Sequence, residues 1–103
     1  LADESNALNS KIFSLPRLLL LSALDELPEG DGITYRELRD GLKMRDGILF
    51  TNLETLKKTG YVRSRKIRVE GEELTEYSVT RDGREELKKV KAWFADWAGG
   101  KNG

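Results

Sequence analysis

Apolar residues recur at helical spacing in four stretches of this chain, and in others they mix with β-branched and aromatic residues in the manner of strands. In the first stretch Leu18, Leu19, Leu20, Leu21, Ala23, Leu24 and Leu27 follow Ser14-Leu15-Pro16. Serine can accept the first free amides of a helix and proline is tolerated in its opening turn, so a helix is predicted to start there. It is apolar over most of its circumference, which places it at the centre of the core or in contact with a partner chain. Pro28-Glu29-Gly30-Asp31-Gly32 ends it. Upstream, Ala7, Leu8 and Ile12 suggest a short extra helix in an N-terminal extension over 1–13.

Ile33 reads as a brief strand, and Thr34-Tyr35-Arg36-Glu37 as a capping box that opens a second, short helix carrying Leu38 and Leu42 on one face. A third helix is predicted to start at about Asp46, taken as its cap, with Leu49, Leu53 and Leu56 on one stripe. Gly60 ends it in a left-handed conformation. Tyr61–Val69 and Leu74–Val79 then form a hairpin around the turn Glu70-Gly71-Glu72-Glu73, spanning 61–79. Thr80 caps a last helix over 81–98, in which Leu87, Val90, Phe94 and Trp97 recur at three- and four-residue steps with Trp93 beside them. Residues 99–103 read as a disordered tail.

A length of 103 residues suits one domain, here 1–98, with a single modest core. The longest apolar run, Leu18–Leu21, is far too short to span a membrane, so no membrane partner is expected. Leu1–Asn6 carry Asp3 and Glu4 and no basic cluster before an apolar stretch, which argues against a secretory signal and for a cytoplasmic location. There is no histidine and no cysteine, which removes zinc sites, thiolate chemistry and the commonest general base. With no phosphate-cradling glycine loop either, the sequence argues against an enzyme, and no metal or cofactor is expected.

Net charge is zero, but it is unevenly spread. Residues 1–42 carry −4, residues 43–68 carry +6 and residues 69–103 carry −2. A positive stripe in an otherwise acidic chain fits a phosphate-binding surface, and it equally fits a merely solvated face.

The order helix, short strand, helix, tight turn, helix, hairpin, helix is that of an α+β, mostly helical winged helix-turn-helix, with a three-helix core, a two-stranded wing and a C-terminal helix. The sequence resembles winged-helix regulators related to the multiple-antibiotic-resistance (MarR) and arsenic-repressor (ArsR) groups over about Leu15–Trp97. Its carriers are Pro16-Arg17-Leu18, Thr34-Tyr35-Arg36-Glu37-Leu38, Asp46-Gly47-Ile48-Leu49 with Leu53 and Leu56, Gly60-Tyr61-Val62, and Tyr77-Ser78-Val79-Thr80-Arg81-Asp82-Gly83-Arg84. The resemblance implies a transcriptional regulator that binds double-stranded DNA, with the third helix in the major groove and the wing on the flanking backbone.

On that reading the outward positions of the third helix are Gly47, Ile48, Phe50, Thr51, Asn52 and Thr55, with Asn52 suited to adenine and Thr51 to phosphate or a base edge. Lys43 and Arg45 before the helix, and Arg63, Arg65, Lys66 and Arg68 in the wing, would supply phosphate contacts. Ile48 and Phe50 depart from the small polar or basic residues common in related regulators. They suit thymine methyls, a protein-binding surface without direct DNA binding, or packing of Phe50 against the wing or second helix. Leu19, Leu20, Leu87, Val90, Trp93, Phe94 and Trp97 offer more apolar surface than so small a domain needs, so a homodimer through the first and last helices is expected.

Overall fold

The computed structural model describes residues 14–99. The suggested helix around Ala7, Leu8 and Ile12 and the tail beyond Gly99 lie outside them. Helix α1 spans Leu15–Asp25, with the Ser14 hydroxyl accepting the Arg17 amide at 3.4 Å. It stops two residues before Leu27, whose amide bonds back to the Leu24 carbonyl in a tightened last turn. Strand β1 is Ile33–Thr34 and helix α2 is Tyr35–Leu42. Both halves of the capping box form: the Thr34 hydroxyl accepts the Glu37 amide at 3.2 Å, and Glu37 accepts the Thr34 amide at 3.1 Å.

Helix α3 spans Asp46–Thr59. Asp46 is its first helical residue and Arg45 the cap position, where no side chain bonds the free amides. The aspartate therefore favours the helix start through its charge near the positive dipole end, not as the cap. Gly60 ends α3 at φ 91°, left-handed as expected.

Strands β2 (Val62–Val69) and β3 (Glu72–Val79) pair antiparallel from Val62↔Val79 to Val69↔Glu72. The turn is tighter than the sequence suggested. Glu70 and Gly71 alone make it, both at positive φ (51° and 82°), the pattern of a two-residue hairpin turn. Strand β1 pairs with Tyr77 and Glu76 on the other side of β3, so the sheet is three-stranded with order β1-β3-β2.

Helix α4 runs Arg81–Gly99, one residue past the predicted end. Its start is fastened to the base of the wing. The Thr80 amide donates to the Tyr61 carbonyl at 3.0 Å, the Thr80 hydroxyl donates to the Gly60 carbonyl at 2.6 Å, and that hydroxyl accepts the Gly83 amide at 3.1 Å. Gly83 is buried against the Tyr61 carbonyl, with no room for a side chain. Arg84 caps the other end of the junction, donating to the Asp25 carbonyl (3.0 Å), the Asp25 carboxylate (2.8 Å) and the Leu27 carbonyl (3.0 Å) at the end of α1.

One core draws on all four helices. Leu20, Leu21 and Leu24 of α1, Leu38 of α2, Leu49, Leu53 and Leu56 of α3, and Leu87 and Val90 of α4 are almost wholly buried, closed by Val62, Tyr77 and Val79 from the sheet. Each such side chain contributes about 1.5–3 kcal/mol. These burials correct part of the expected partner surface: Leu20, Leu87 and Val90 are spent inside the monomer. Leu15, Leu19, Phe94 and Trp97 are exposed, with Trp93 half-buried and stacked parallel to Trp97 at 6.3 Å.

Candidate nucleic-acid interface

The three leucines of α3 face the core, so its opposite side is fixed by geometry. Turning 100° per residue, Gly47 and Thr51 form the ridge farthest from the core, with Ile48 on one flank and Phe50 on the other. All four are exposed, Ile48 at 44% and Phe50 at 54%. A Cβ on Gly47 would meet nothing within 4 Å, so no intramolecular contact requires a glycine there.

Asn52 and Thr55 are differently placed. Both are half-buried. The Asn52 side-chain oxygen accepts from Arg17 Nε at 2.9 Å and its amide nitrogen donates to the Ile48 carbonyl at 2.7 Å. Thr55 donates its hydroxyl to the Thr51 carbonyl at 3.1 Å. Asn52 thus ties α3 to the start of α1, and its amide is not held out toward a base edge. No local spacing links Arg17 to a residue 35 positions away, so its role at the site leaves no signal in the sequence.

The turn into α3 is held on several sides. Lys43 adopts the left-handed conformation at φ 53°, Met44 packs against the core, and Lys43 and Arg45 are left exposed on either side of it. Tyr35 donates its hydroxyl to the Asp46 carboxylate at 3.2 Å and Arg39 lies 3.6 Å from the same carboxylate, which fixes the start of α3 to α2. Partial burial and the bond to Asp46 push the Tyr35 hydroxyl above its ordinary pKa. The Thr34 amide and hydroxyl hold the Glu37 carboxyl below its own.

The wing cations separate onto two faces. Alternation along β2 places Ser64, Lys66 and Arg68 on the same face as the core residues Tyr77 and Val79, and Arg63 and Arg65 on the opposite one. Lys66 donates to the Thr75 hydroxyl at 3.0 Å and Arg68 to the Gly71 carbonyl at 3.1 Å. Arg65 is bound by Glu76 at 2.9 Å, and Glu76 lies over Gly32 where a Cβ would not fit. Arg63 lines a groove of about 400 Å³ with Arg81, Arg84, Glu29 and Glu76, at the end of the strand away from the tip. The tip itself is acidic through Glu70, Glu72 and Glu73, and Arg36 of α2 pairs with Glu72 at 3.3 Å. Between the wing and α3 lies a cleft of about 320 Å³ lined by Tyr35, Phe50, Leu74 and Tyr77. Phe50 therefore forms one wall of that cleft while remaining largely open to solvent.

Three helices with a tight turn between the second and third, a hairpin and a fourth helix define a winged helix-turn-helix domain. The family model described as "Winged helix DNA-binding domain" matches residues 17–97, and the chain belongs to that family. Among solved structures, a transcriptional regulator homologue from Pyrococcus horikoshii superposes with a TM-score of 0.79 at 19% identity, covering 97% of this chain and 97% of the other. A protein assigned to the MarR family of transcriptional regulators, from Enterococcus faecalis, gives 0.74 at 23% identity over 98% of this chain and 90% of its own. A PadR-like transcription factor from Bacteroides fragilis gives 0.69 at 16% identity over 82% and 84%. At these identities the likeness is one of fold. Comparison with functionally curated proteins gave no match. Among the described residues, no helix is long and apolar enough to cross a membrane.

Proposed function

We propose that this chain is a sequence-specific, duplex-DNA-binding transcriptional regulator that acts as a homodimer, with α3 in the major groove and the wing along the flanking backbone. The observation that carries this reading is the exposed Gly47-Ile48/Phe50-Thr51 surface at the start of α3, with exposed Lys43 and Arg45 on the turn that leads into it. The N-terminal residues of such a helix are the ones that reach base edges, and the cations position it on phosphates. Lys66 and Arg68 supply the wing contacts, while Arg65, paired with Glu76, and Arg63 stand on the opposite face of the hairpin and do not. The structural neighbours named as transcriptional regulators support the same role.

Binding of a randomised duplex pool, followed by fluorescence anisotropy across a salt series, tests it. Affinity falls with log salt by roughly 0.9 per phosphate neutralised. Lys66→Ala with Arg68→Ala removes these contacts from both wings of the dimer and reduces that slope by about 3.6, and Arg65→Ala leaves it nearly unchanged. Folded protein that shifts no duplex at low salt overturns the reading in favour of a protein-interaction module, which the exposed Ile48 and Phe50 would then serve. The dimer forms through Leu15, Leu19, Trp93, Phe94 and Trp97. Sedimentation equilibrium gives twice the monomer mass for the parent and a shift to monomer for Trp97→Ala, and a monomeric parent at high concentration refutes it.

A further inference from the structure

The start of α3 is poor in hydrogen-bonding groups aimed outward. Over its first two turns the exposed side chains are Asp46, Gly47, Ile48, Phe50 and Thr51. Asp46 is turned to Tyr35 and Arg39. The Asn52 amide, the group best matched to an adenine edge, is engaged at both ends by Arg17 and the Ile48 carbonyl. What remains is a ridge of two small residues, Gly47 and Thr51, walled by two large apolar ones.

That shape suits one feature of the major groove in particular. A ridge of glycine and threonine lets the helix backbone come close to base edges, and flanking apolar walls then meet groups that project from the groove floor. The one apolar group there is the thymine C5-methyl. Exposing Ile48 and Phe50 to water without a compensating contact carries a cost, which burial against methyls offsets.

We infer that α3 reads thymine C5-methyl groups by apolar contact of Ile48 and Phe50, and that Asn52 with Arg17 is a positioning pair that sets the angle of α3 and reads no base. This rests on the DNA-binding reading and names the sequence class it selects: half-sites whose recognition depends on thymines at fixed positions. Asn52 acts only through α3, so its loss weakens binding to every sequence alike.

The test uses the full chain and a duplex recovered from the randomised pool, resynthesised with uracil replacing thymine one position at a time. Uracil pairs identically and lacks only the methyl. At the contacted positions affinity drops about fourfold per methyl removed, the value expected for one buried methyl, and elsewhere it does not change. In Phe50→Ala or Ile48→Ala the thymine-to-uracil ratio falls to one at the position each contacts. In Asn52→Ala overall affinity falls while every thymine-to-uracil ratio is kept, and Arg17→Ala adds little to it. Equal binding of the thymine and uracil duplexes by the parent protein overturns the inference while leaving DNA binding intact. A changed base preference when the selection is repeated with Asn52→Ala overturns the positioning role. Recovery of no duplex at all overturns the DNA reading itself. Circular dichroism melts confirm that each variant is folded, and the parent's uracil series decides the question without any variant.

Discussion

Replacing Gly83 by alanine sets two ordinary effects against each other, and the structure decides the sign. Gly83 lies in the first turn of α4, where alanine is the better helix former by about 1 kcal/mol. A Cβ there would collide with the Tyr61 carbonyl oxygen and stand 2.8 Å from Val79 Cγ2. The first obstacle is backbone, held in place by the Thr80 amide at 3.0 Å, so it cannot swing aside as a side-chain tip would. Forcing extra volume into a packed site costs about 1–3 kcal/mol. Moving the helix start also loses the Gly83–Thr80 cap bond, worth about 1 kcal/mol. The net is a loss of about 1–3 kcal/mol, which at roughly 4–8 °C per kcal/mol for a domain of this size lowers Tm on the order of 10 °C. Gly41 in α2 is the control. Nothing lies within 4 Å of its Cβ position, so Gly41→Ala stabilises by about 0.5–1 kcal/mol. Thermal melts followed by circular dichroism without DNA measure both. A Gly83→Ala protein melting at or above the parent, or both glycines responding alike, refutes the reasoning.

Other outcomes follow from the same structure. Glu37 has a folded pKa below its unfolded one, so its stabilisation is present above the unfolded value and disappears as pH falls through the folded one. Glu37→Gln therefore melts below the parent at neutral pH, and the gap closes below about pH 4. Tyr77 moves the other way: burial, then the Glu54 carboxylate, raises it, so stability is lost as pH climbs past about 10. In Tyr77→Phe that alkaline decline, followed by melts across pH, is shallower. Arg84→Ala leaves the Asp25 and Leu27 carbonyls without their donor and costs about 1–3 kcal/mol by urea denaturation. Gly47→Ala raises Tm by a few degrees yet weakens duplex binding severalfold, because its Cβ stands on the ridge of α3. Unchanged affinity in that variant argues against close approach of the helix backbone.

The elements were legible in the sequence because their signals are local. Pro16, the Thr34/Glu37 box, Gly60 and Thr80 each act within a turn of themselves, and the leucine spacing fixed which face of each helix is buried. The turn at Glu70-Gly71 is narrower than its composition suggests because glutamate is an unusual residue at positive φ and gives no turn signal of its own. The site was less legible. Whether Asn52 points to solvent depends on Arg17, whether Arg65 carries usable charge depends on Glu76 lying over Gly32, and whether Leu20 is surface or core depends on how α4 crosses α1. Each is a contact between residues distant in the chain, and periodicity within one element carries no information about it.

The clasp at the foot of the wing has a consequence for how such domains diversify. Gly60, Tyr61 and Thr80 hold the two ends of the hairpin together through hydrogen bonds that involve no residue of its outer half. The chain between them is thus a closed loop on a fixed mount. Lengthening such a loop costs only about 0.6 kcal/mol for each doubling, so residues added or exchanged at Glu70-Gly71 leave the helical core indifferent. The length of the wing and the charge at its tip can then vary independently of the fold, and the acidic tip of this chain is one setting of an adjustable part.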